Sequence, residues 1–348
     1  MAEKIIGTAL LSYGMSGEVF HAPLLNAHPG FEIKAVFHRP TSKRANHGLP
    51  VVNHIDDVLN NPSIDLVVVN TPPDSHFAYA EAALKAGKHV VVEKPFTVTT
   101  NQAEQLIVLA KKQNRILTVF QNRRWDGGFL TLQKILRDKL LGGVVELELH
   151  YDRFRNHVDS TSWKEIESPG NGILYNLGAH MIDQILVLYG TPKYVDARMG
   201  IQRTNGKVID YYDIRFSYEG LNVIVKSSYL VREQGPMYKV HGTDGSFIKY
   251  GIDPQEQALK DKIIPGTPGW GTEPQQWWGK LNTTINGNHF EGTIETLPGN
   301  YMAYYDNVYH AIVNNQPLAV KPEEARNVIR IIEACIESNE QMRAIKTD

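Results

Sequence analysis

The stretch Ile5-Ile6-Gly7-Thr8-Ala9-Leu10-Leu11-Ser12-Tyr13-Gly14-Met15-Ser16-Gly17 decides the fold. A short apolar run leads straight into a glycine-containing turn, and residues 18–28 beyond it have helical periodicity. The order is therefore strand, tight turn, helix. In a dinucleotide-binding fold the middle glycine lets the backbone approach the pyrophosphate, the last lets the helix pack on the strand, and the helix N-terminus stabilises the negative charge. Gly14 and Gly17 match these roles with Met15 and Ser16 between them, while Ser12 stands where the fingerprint has its first glycine. A plain strand-to-helix turn can carry the same glycines. The position directly after the first strand is what points to a dinucleotide.

Working outward, β-branched runs at 31–37, 65–70, 88–92 and 116–121 alternate with helical patterns at 75–86 and 101–114. That alternation predicts a doubly wound parallel sheet of the Rossmann type. After it come a helix at 129–139, a strand at 144–155, and an apolar helix at 175–189. Strands at 193–203, 208–218, 222–231 and 237–241 follow, with Asn205-Gly206 and Glu219-Gly220 as hairpin turns. This half predicts an α+β domain with a large, mostly antiparallel open sheet. The expected division is 1–122 for an NAD(P)-binding Rossmann domain and 123–348 for a domain that binds substrate and mediates oligomerisation. Residues 253–298, rich in Gly, Pro and Trp without a clear period, read as a long irregular excursion. Helices at 301–314 and 322–343 close the chain.

A length of 348 residues suits two domains of ordinary size, and a net charge of -2 gives no reason to expect nucleic acid or an anionic membrane as partner. Small molecules are the expected ligands. Cys335 is the single cysteine, so no disulfide or thiolate metal cluster forms within the chain, which fits a reducing cytoplasm. The apolar run at 5–11 is too short for a signal peptide, and no stretch approaches the roughly 18 residues that span a bilayer. The histidines His21, His28 and His38 lack ligand spacing, and no metal is expected.

An acidic residue that holds the adenosine ribose is expected about 20 residues beyond the glycine turn. The chain there reads Phe37-His38-Arg39-Pro40-Thr41-Ser42-Lys43-Arg44, with no carboxylate. Arg39, Ser42 and Lys43 would suit a 2′-phosphate, which favours NADP over NAD, although a solvated basic loop has the same composition. Glu93-Lys94-Pro95 ends the strand at 88–92, at the sheet edge where doubly wound folds bind ligands. In Gly170-Asn171-Gly172-Ile173-Leu174-Tyr175-Asn176-Leu177-Gly178-Ala179-His180, Asn176 and His180 lie one helical turn apart and share a face.

These motifs together resemble the Gfo/Idh/MocA oxidoreductases, which include glucose–fructose oxidoreductase and the inositol dehydrogenases. The resemblance spans the chain: the Gly14–Gly17 turn, Thr71-Pro72-Pro73 with His76, Glu93-Lys94-Pro95, the helix of His180, and the late antiparallel strands. Tyr13 to Gly17 through Phe20-His21-Ala22-Pro23, and Gln121-Asn122-Arg123-Arg124-Trp125-Asp126, are most similar to the branch of NADP-dependent scyllo-inositol dehydrogenases. The family implies a dinucleotide held by Ser12, Gly14, Met15, Ser16, Gly17, Thr71, Pro72, His76, Glu93 and Lys94. Its usual pair is Asp and His four residues apart, whereas this chain has Asn176 in the first position, so charge is lost and hydrogen bonding kept.

Oxidation of a secondary alcohol needs a base for the hydroxyl proton, for which His180 is the candidate; Lys94 would stabilise developing alkoxide charge and Asn176 would orient the group. Asn122, Arg124, Trp125, Tyr151, Arg153, Trp163, Asn176 and His180 are the residues expected to supply donors, acceptors and ring faces to a polyol or sugar. The alternative is a dinucleotide-binding sensor that kept the fold and lost the chemistry. Val223, Val225, Tyr229 and Val231 alternate onto one strand face, which predicts a homodimer, or a tetramer of dimers, through that sheet.

Overall fold

The computed structural model describes residues 4–38 and 48–347. The chain divides into two compact units. The first contains Met1–Trp125 together with Pro254–Trp270 and Asn300–Arg326; the second contains Asp126–Asp253, Gly271–Gly299 and Asn327–Asp348. Where the sequence suggests one crossing at residue 122, the chain thus returns twice to the first unit.

The first unit is built on six strands: β1 (Ile6–Leu10), β2 (Phe31–Phe37), β3 (Val51–Val52), β4 (Leu66–Val69), β5 (His89–Val92) and β6 (Leu117–Val119). Their spatial order is β3-β2-β1-β4-β5-β6, and every pairing is parallel. Val67–Val69 and Val90–Val92 are fully buried, as central strands covered on both faces must be. Strand order reverses between β1 and β4, and a crevice opens beyond the carboxyl ends of strands at such a reversal. The returning helix Met302–Asn314 contributes an aromatic cluster: Tyr305 packs edge-on to Phe31, and Tyr304 edge-on to Phe120, with centroids 5.6 and 4.9 Å apart. Aromatic pairs of this kind add to area burial. They explain why residues beyond 300 complete the N-terminal sheet.

The second unit carries β7 (Val144–His150), β8 (Tyr194–Gly200), β9 (Tyr211–Tyr218), β10 (Leu221–Ser228), β11 (Tyr238–Gly242), β12 (Gly245–Lys249), β13 (Gly279–Ile285), β14 (Asn288–Ile294) and β15 (Ile345–Lys346). They form a nine-stranded sheet in the order β14-β13-β12-β11-β7-β10-β9-β8-β15. The pairing of β7 with β10 is parallel and the rest are antiparallel.

Two sequence expectations need correction here. The excursion expected at 253–298 contains the helix Gln255–Lys260 and the β13–β14 hairpin. The hairpin turns on Asn286-Gly287, both with positive φ (50° and 80°), as a two-residue hairpin loop demands. Secondly, Val223 and Val225 are fully buried within the chain and do not wait for a partner subunit. Their neighbours Asn222, Ile224 and Lys226 face the less covered side.

The excursion is fastened by a buried ion pair. The Lys249 ammonium donates to Glu273 at 2.8 Å and to the Tyr250 carbonyl at 2.6 Å, and the Thr296 hydroxyl donates to the same carboxylate. Both charged side chains are nearly inaccessible, at 2% and 4%. Removing one partner from such a pair leaves an uncompensated charge. Lys249→Met is therefore expected to destabilise the protein by about 3–5 kcal/mol, read as a lower urea midpoint. Lys249→Met with Glu273→Leu should recover most of the loss.

Candidate active site

The glycine turn is closed by a hydroxyl in place of the missing glycine. The Ser12 Oγ accepts from the Gly14 N–H at 3.2 Å, and the Asn70 side-chain amide donates to the Ser12 carbonyl at 2.8 Å. A π-helical turn, Ser16–His21, starts at once and runs on into the α-helix Ala22–Ala27. Gly17 is indispensable here, because a Cβ would sit 2.4 Å from the Ser12 carbonyl oxygen and 2.9 Å from the Asn70 amide nitrogen. The turn fits a dinucleotide: a helix start for the phosphates, a glycine cradle, and beside it a buried Asn70 oxygen that no described residue satisfies. Met15 is exposed. Arg39, Ser42 and Lys43 lie outside the described residues.

Glu93, just beyond β5, links this turn to Lys94. One carboxylate oxygen accepts from the Ser16 hydroxyl at 2.5 Å and lies 3.1 Å from the His21 Nε2; the other accepts the Lys94 backbone N–H at 3.0 Å. The Nδ1 of His21 is 2.6 Å from the Tyr305 hydroxyl. Burial alone would raise the Glu93 pKa. The His21 hydrogen bond and charge, the Lys94 charge and the Ser16 hydroxyl outweigh it and bring the pKa down to about 2. Glu93 is thus a buried brace between turn and lysine. The Lys94–Pro95 peptide is cis.

His76 has a similar structural job. Its Nδ1 and Nε2 lie 2.8 Å from the Pro95 and Thr71 carbonyl oxygens, so the ring bridges the loops after β4 and β5, its one N–H in the neutral form donating to one of the two. Burial holds its pKa below the ordinary histidine value, although both carbonyls and Glu93 favour the charged ring. His76 is buried at 1% exposure. Thr71 accepts from the Ser75 hydroxyl at 2.7 Å, and Thr71 and Pro72 remain half-exposed in the loop at the carboxyl end of β4.

Arg124 also has other work. Its guanidinium donates to the Ala319 carbonyl at 2.9 Å and to Glu324 at 2.7 Å, while Arg123 pairs with Glu256 at 2.7 Å. Both arginines fasten returning segments to the first unit. Asn122 is buried, and Trp125 packs edge-on to Tyr304 with centroids 5.9 Å apart.

In the second unit a π-helical turn, Leu174–Gly178, carries Asn176 and opens the helix Ala179–Tyr189 that carries His180. π-turns inside helices recur at functional sites. His180 is buried at 6% exposure, and Asn176 is half-buried. Tyr151 is buried at the end of β7 with the Arg153 guanidinium 5.4 Å from its ring centre, whereas Trp163 is exposed at 44%. Asn70 was missed in the sequence. Its signal was a polar residue directly after the buried run Leu66–Val69.

A sequence profile described as "Oxidoreductase family, NAD-binding Rossmann fold" matches residues 5–121, and one described as "Oxidoreductase family, C-terminal alpha/beta domain" matches 133–347. The chain belongs to the Gfo/Idh/MocA oxidoreductase family. It is 39% identical over 342 residues to an NADP-dependent scyllo-inositol 2-dehydrogenase of Bacillus subtilis, covering 98% of this chain and 95% of that one. Among solved structures, an oxidoreductase from Bacillus subtilis superposes with a TM-score of 0.95 at 38% identity, over 100% of both chains. Another, from Bacteroides fragilis, gives 0.89 at 44% identity over 99% of this chain and all of that one. The protein is a dehydrogenase of this family, with a nicotinamide cofactor and a small-molecule substrate. Among the described residues, no helix is long and apolar enough to cross a membrane, and no group of three or more metal-ligating side chains could hold an ion.

The depressed Glu93 pKa gives a pH test. A carboxyl with a folded pKa near 2 and an ordinary value of 4.5 stabilises the fold above pH 4.5, and the contribution is lost as pH falls towards 2. Between these limits the wild type should lose up to about 3 kcal/mol from this group. Glu93→Gln should lack that component, so the difference between the two unfolding profiles should narrow as pH falls through this window.

Proposed function

We propose that this enzyme moves hydride between NADP and a secondary alcohol or ketone of a cyclic polyol or sugar, with scyllo-inositol as the reference substrate. The observation that carries this reading is the 39% identity to the NADP-dependent scyllo-inositol 2-dehydrogenase along nearly the whole of both chains. The Ser12–Gly17 turn with Thr71 and Pro72 would hold the dinucleotide, and Arg39, Ser42 and Lys43 would receive a 2′-phosphate. Bound nicotinamide supplies the hydride acceptor in the oxidative direction and the donor in reverse.

The chain's own residues handle the proton. His180 takes it from the substrate hydroxyl, and Lys94 offsets the charge that develops on that oxygen. Asn176 orients the hydroxyl as donor and acceptor but adds no charge to the histidine. Asn122, Arg124, Trp125, Tyr151, Arg153 and Trp163 are the candidates for reading the remaining hydroxyls. A dinucleotide-binding sensor without chemistry gains no support from the named relatives.

The test is a panel of inositols, inososes, aldoses and lactones with NADP(H) and NAD(H), followed by absorbance. The expected result is turnover of a polyol or its ketone with a lower KM for NADP than for NAD. On that substrate His180→Ala should lower turnover by a factor on the order of 10²–10⁴ with NADP affinity nearly unchanged. Near-wild-type turnover would place the base elsewhere.

The second unit's sheet also supports an assembly proposal. Nine strands present a broad half-exposed face on which Ile224 and Ile248 lie among Asp213, Lys226 and Glu148. We expect a homodimer, or a tetramer of dimers, through this face. Light scattering at micromolar concentration should give at least twice the chain mass, and a monomeric mass excludes it.

A further inference from the structure

We infer that Asn70 is a cofactor-positioning residue: its amide N–H locks the glycine turn, and its side-chain oxygen accepts a hydrogen bond from a donor on the bound dinucleotide. The inference rests on the reading of the first unit as an NAD(P) site. It adds a residue that neither the glycine fingerprint nor the Glu-Lys-Pro motif contains.

Asn70 follows β4, and Ser12 follows β1 by one residue. These are the two strands between which the order of the sheet reverses. The hydrogen bond of 2.8 Å from the Asn70 amide to the Ser12 carbonyl therefore spans the mouth of the crevice in which such sheets bind ligands. Gly17 makes the approach possible, since any Cβ there would meet the same carbonyl and the same amide. Because that amide is the donor to Ser12, the other atom of the group is fixed as an acceptor.

This acceptor is left over. Asn70 is 6% exposed, and its Oδ1 is shielded from solvent without a hydrogen-bond donor among the described residues. Buried side-chain acceptors in native proteins are nearly always paired, and an unpaired one carries a desolvation penalty. The partner must bring an N–H or O–H. The phosphate oxygens of a dinucleotide are acceptors, so the donor is a ribose hydroxyl, the adenine amino group or the carboxamide N–H of the nicotinamide half. Asn70 thus reads an uncharged part of the cofactor while the turn beside it receives the charged part.

Three measurements test this on the full-length protein. NADPH dissociation constants from fluorescence should rise roughly 10-fold in Asn70→Ala, as expected for the loss of a buried hydrogen bond. They should rise further in Asn70→Asp, whose carboxylate keeps the acceptor but opposes the Ser12 carbonyl and the pyrophosphate. Free-protein unfolding midpoints, measured alongside, separate loss of fold from loss of binding. Next, the 3-acetylpyridine analogue of NADPH lacks the carboxamide N–H. If that group is the donor, the analogue should bind wild type more weakly and erase most of the difference between wild type and Asn70→Ala; if a ribose hydroxyl or the adenine amino group is the donor, the difference should persist. Finally, a wild-type structure with NADP bound should place one of these donors within hydrogen-bond distance of the Asn70 Oδ1. Unchanged affinity in both variants, or a water as the sole partner of that oxygen, overturns the inference. Failure of the wild type to bind either dinucleotide would instead overturn the reading of the site.

Discussion

A carboxylate enclosed at the end of a parallel strand has to be supplied with donors, and the way Glu93 obtains them organises the first unit. The hydroxyl of Ser16 and the ring of His21 come from the helix that opens at the glycine turn, and the backbone N–H comes from Lys94. Helix start, strand end and lysine are therefore fixed relative to one another by one charge. His21 is in turn held by the hydroxyl of Tyr305, so a residue almost at the end of the chain supports a turn near its beginning. Such a network is costly when incomplete and rigid when complete. Rigidity is what a site for hydride transfer requires, because small errors of placement cost rate.

Much of this was legible in the sequence because it was local. The Ile5–Gly17 stretch, the valine runs of β4 and β5, and the hairpin turns each declare themselves through patterns a few residues long. The apolar helix at 175–189 matches Leu174–Tyr189. The β13–β14 hairpin was equally local, with Asn286-Gly287 at its turn, but the surrounding Gly, Pro and Trp masked a weak strand alternation. What could not be read was tertiary. Nothing near Arg124 announces that Glu324 will claim its guanidinium, and nothing near His76 announces that two backbone carbonyls will enclose its ring.

The valines of β10 show how the same pattern can carry the wrong consequence. Alternation correctly places Val223 and Val225 on one face, but alternation cannot say which face the chain's own helices will cover. The covered face is the apolar one, and the opposite face mixes charges with isolated isoleucines.

The interleaving of the two units has a consequence for synthesis of the protein. Chains emerge from the ribosome N-terminus first, and domains ordinarily fold as they emerge. Here the Rossmann sheet is finished by residue 119, yet Phe31 and Phe120 acquire Tyr304 and Tyr305 only when the helix Met302–Asn314 appears. Until then the nascent half carries an uncovered aromatic surface. The dinucleotide-binding unit, first to be translated, is among the last to be completed.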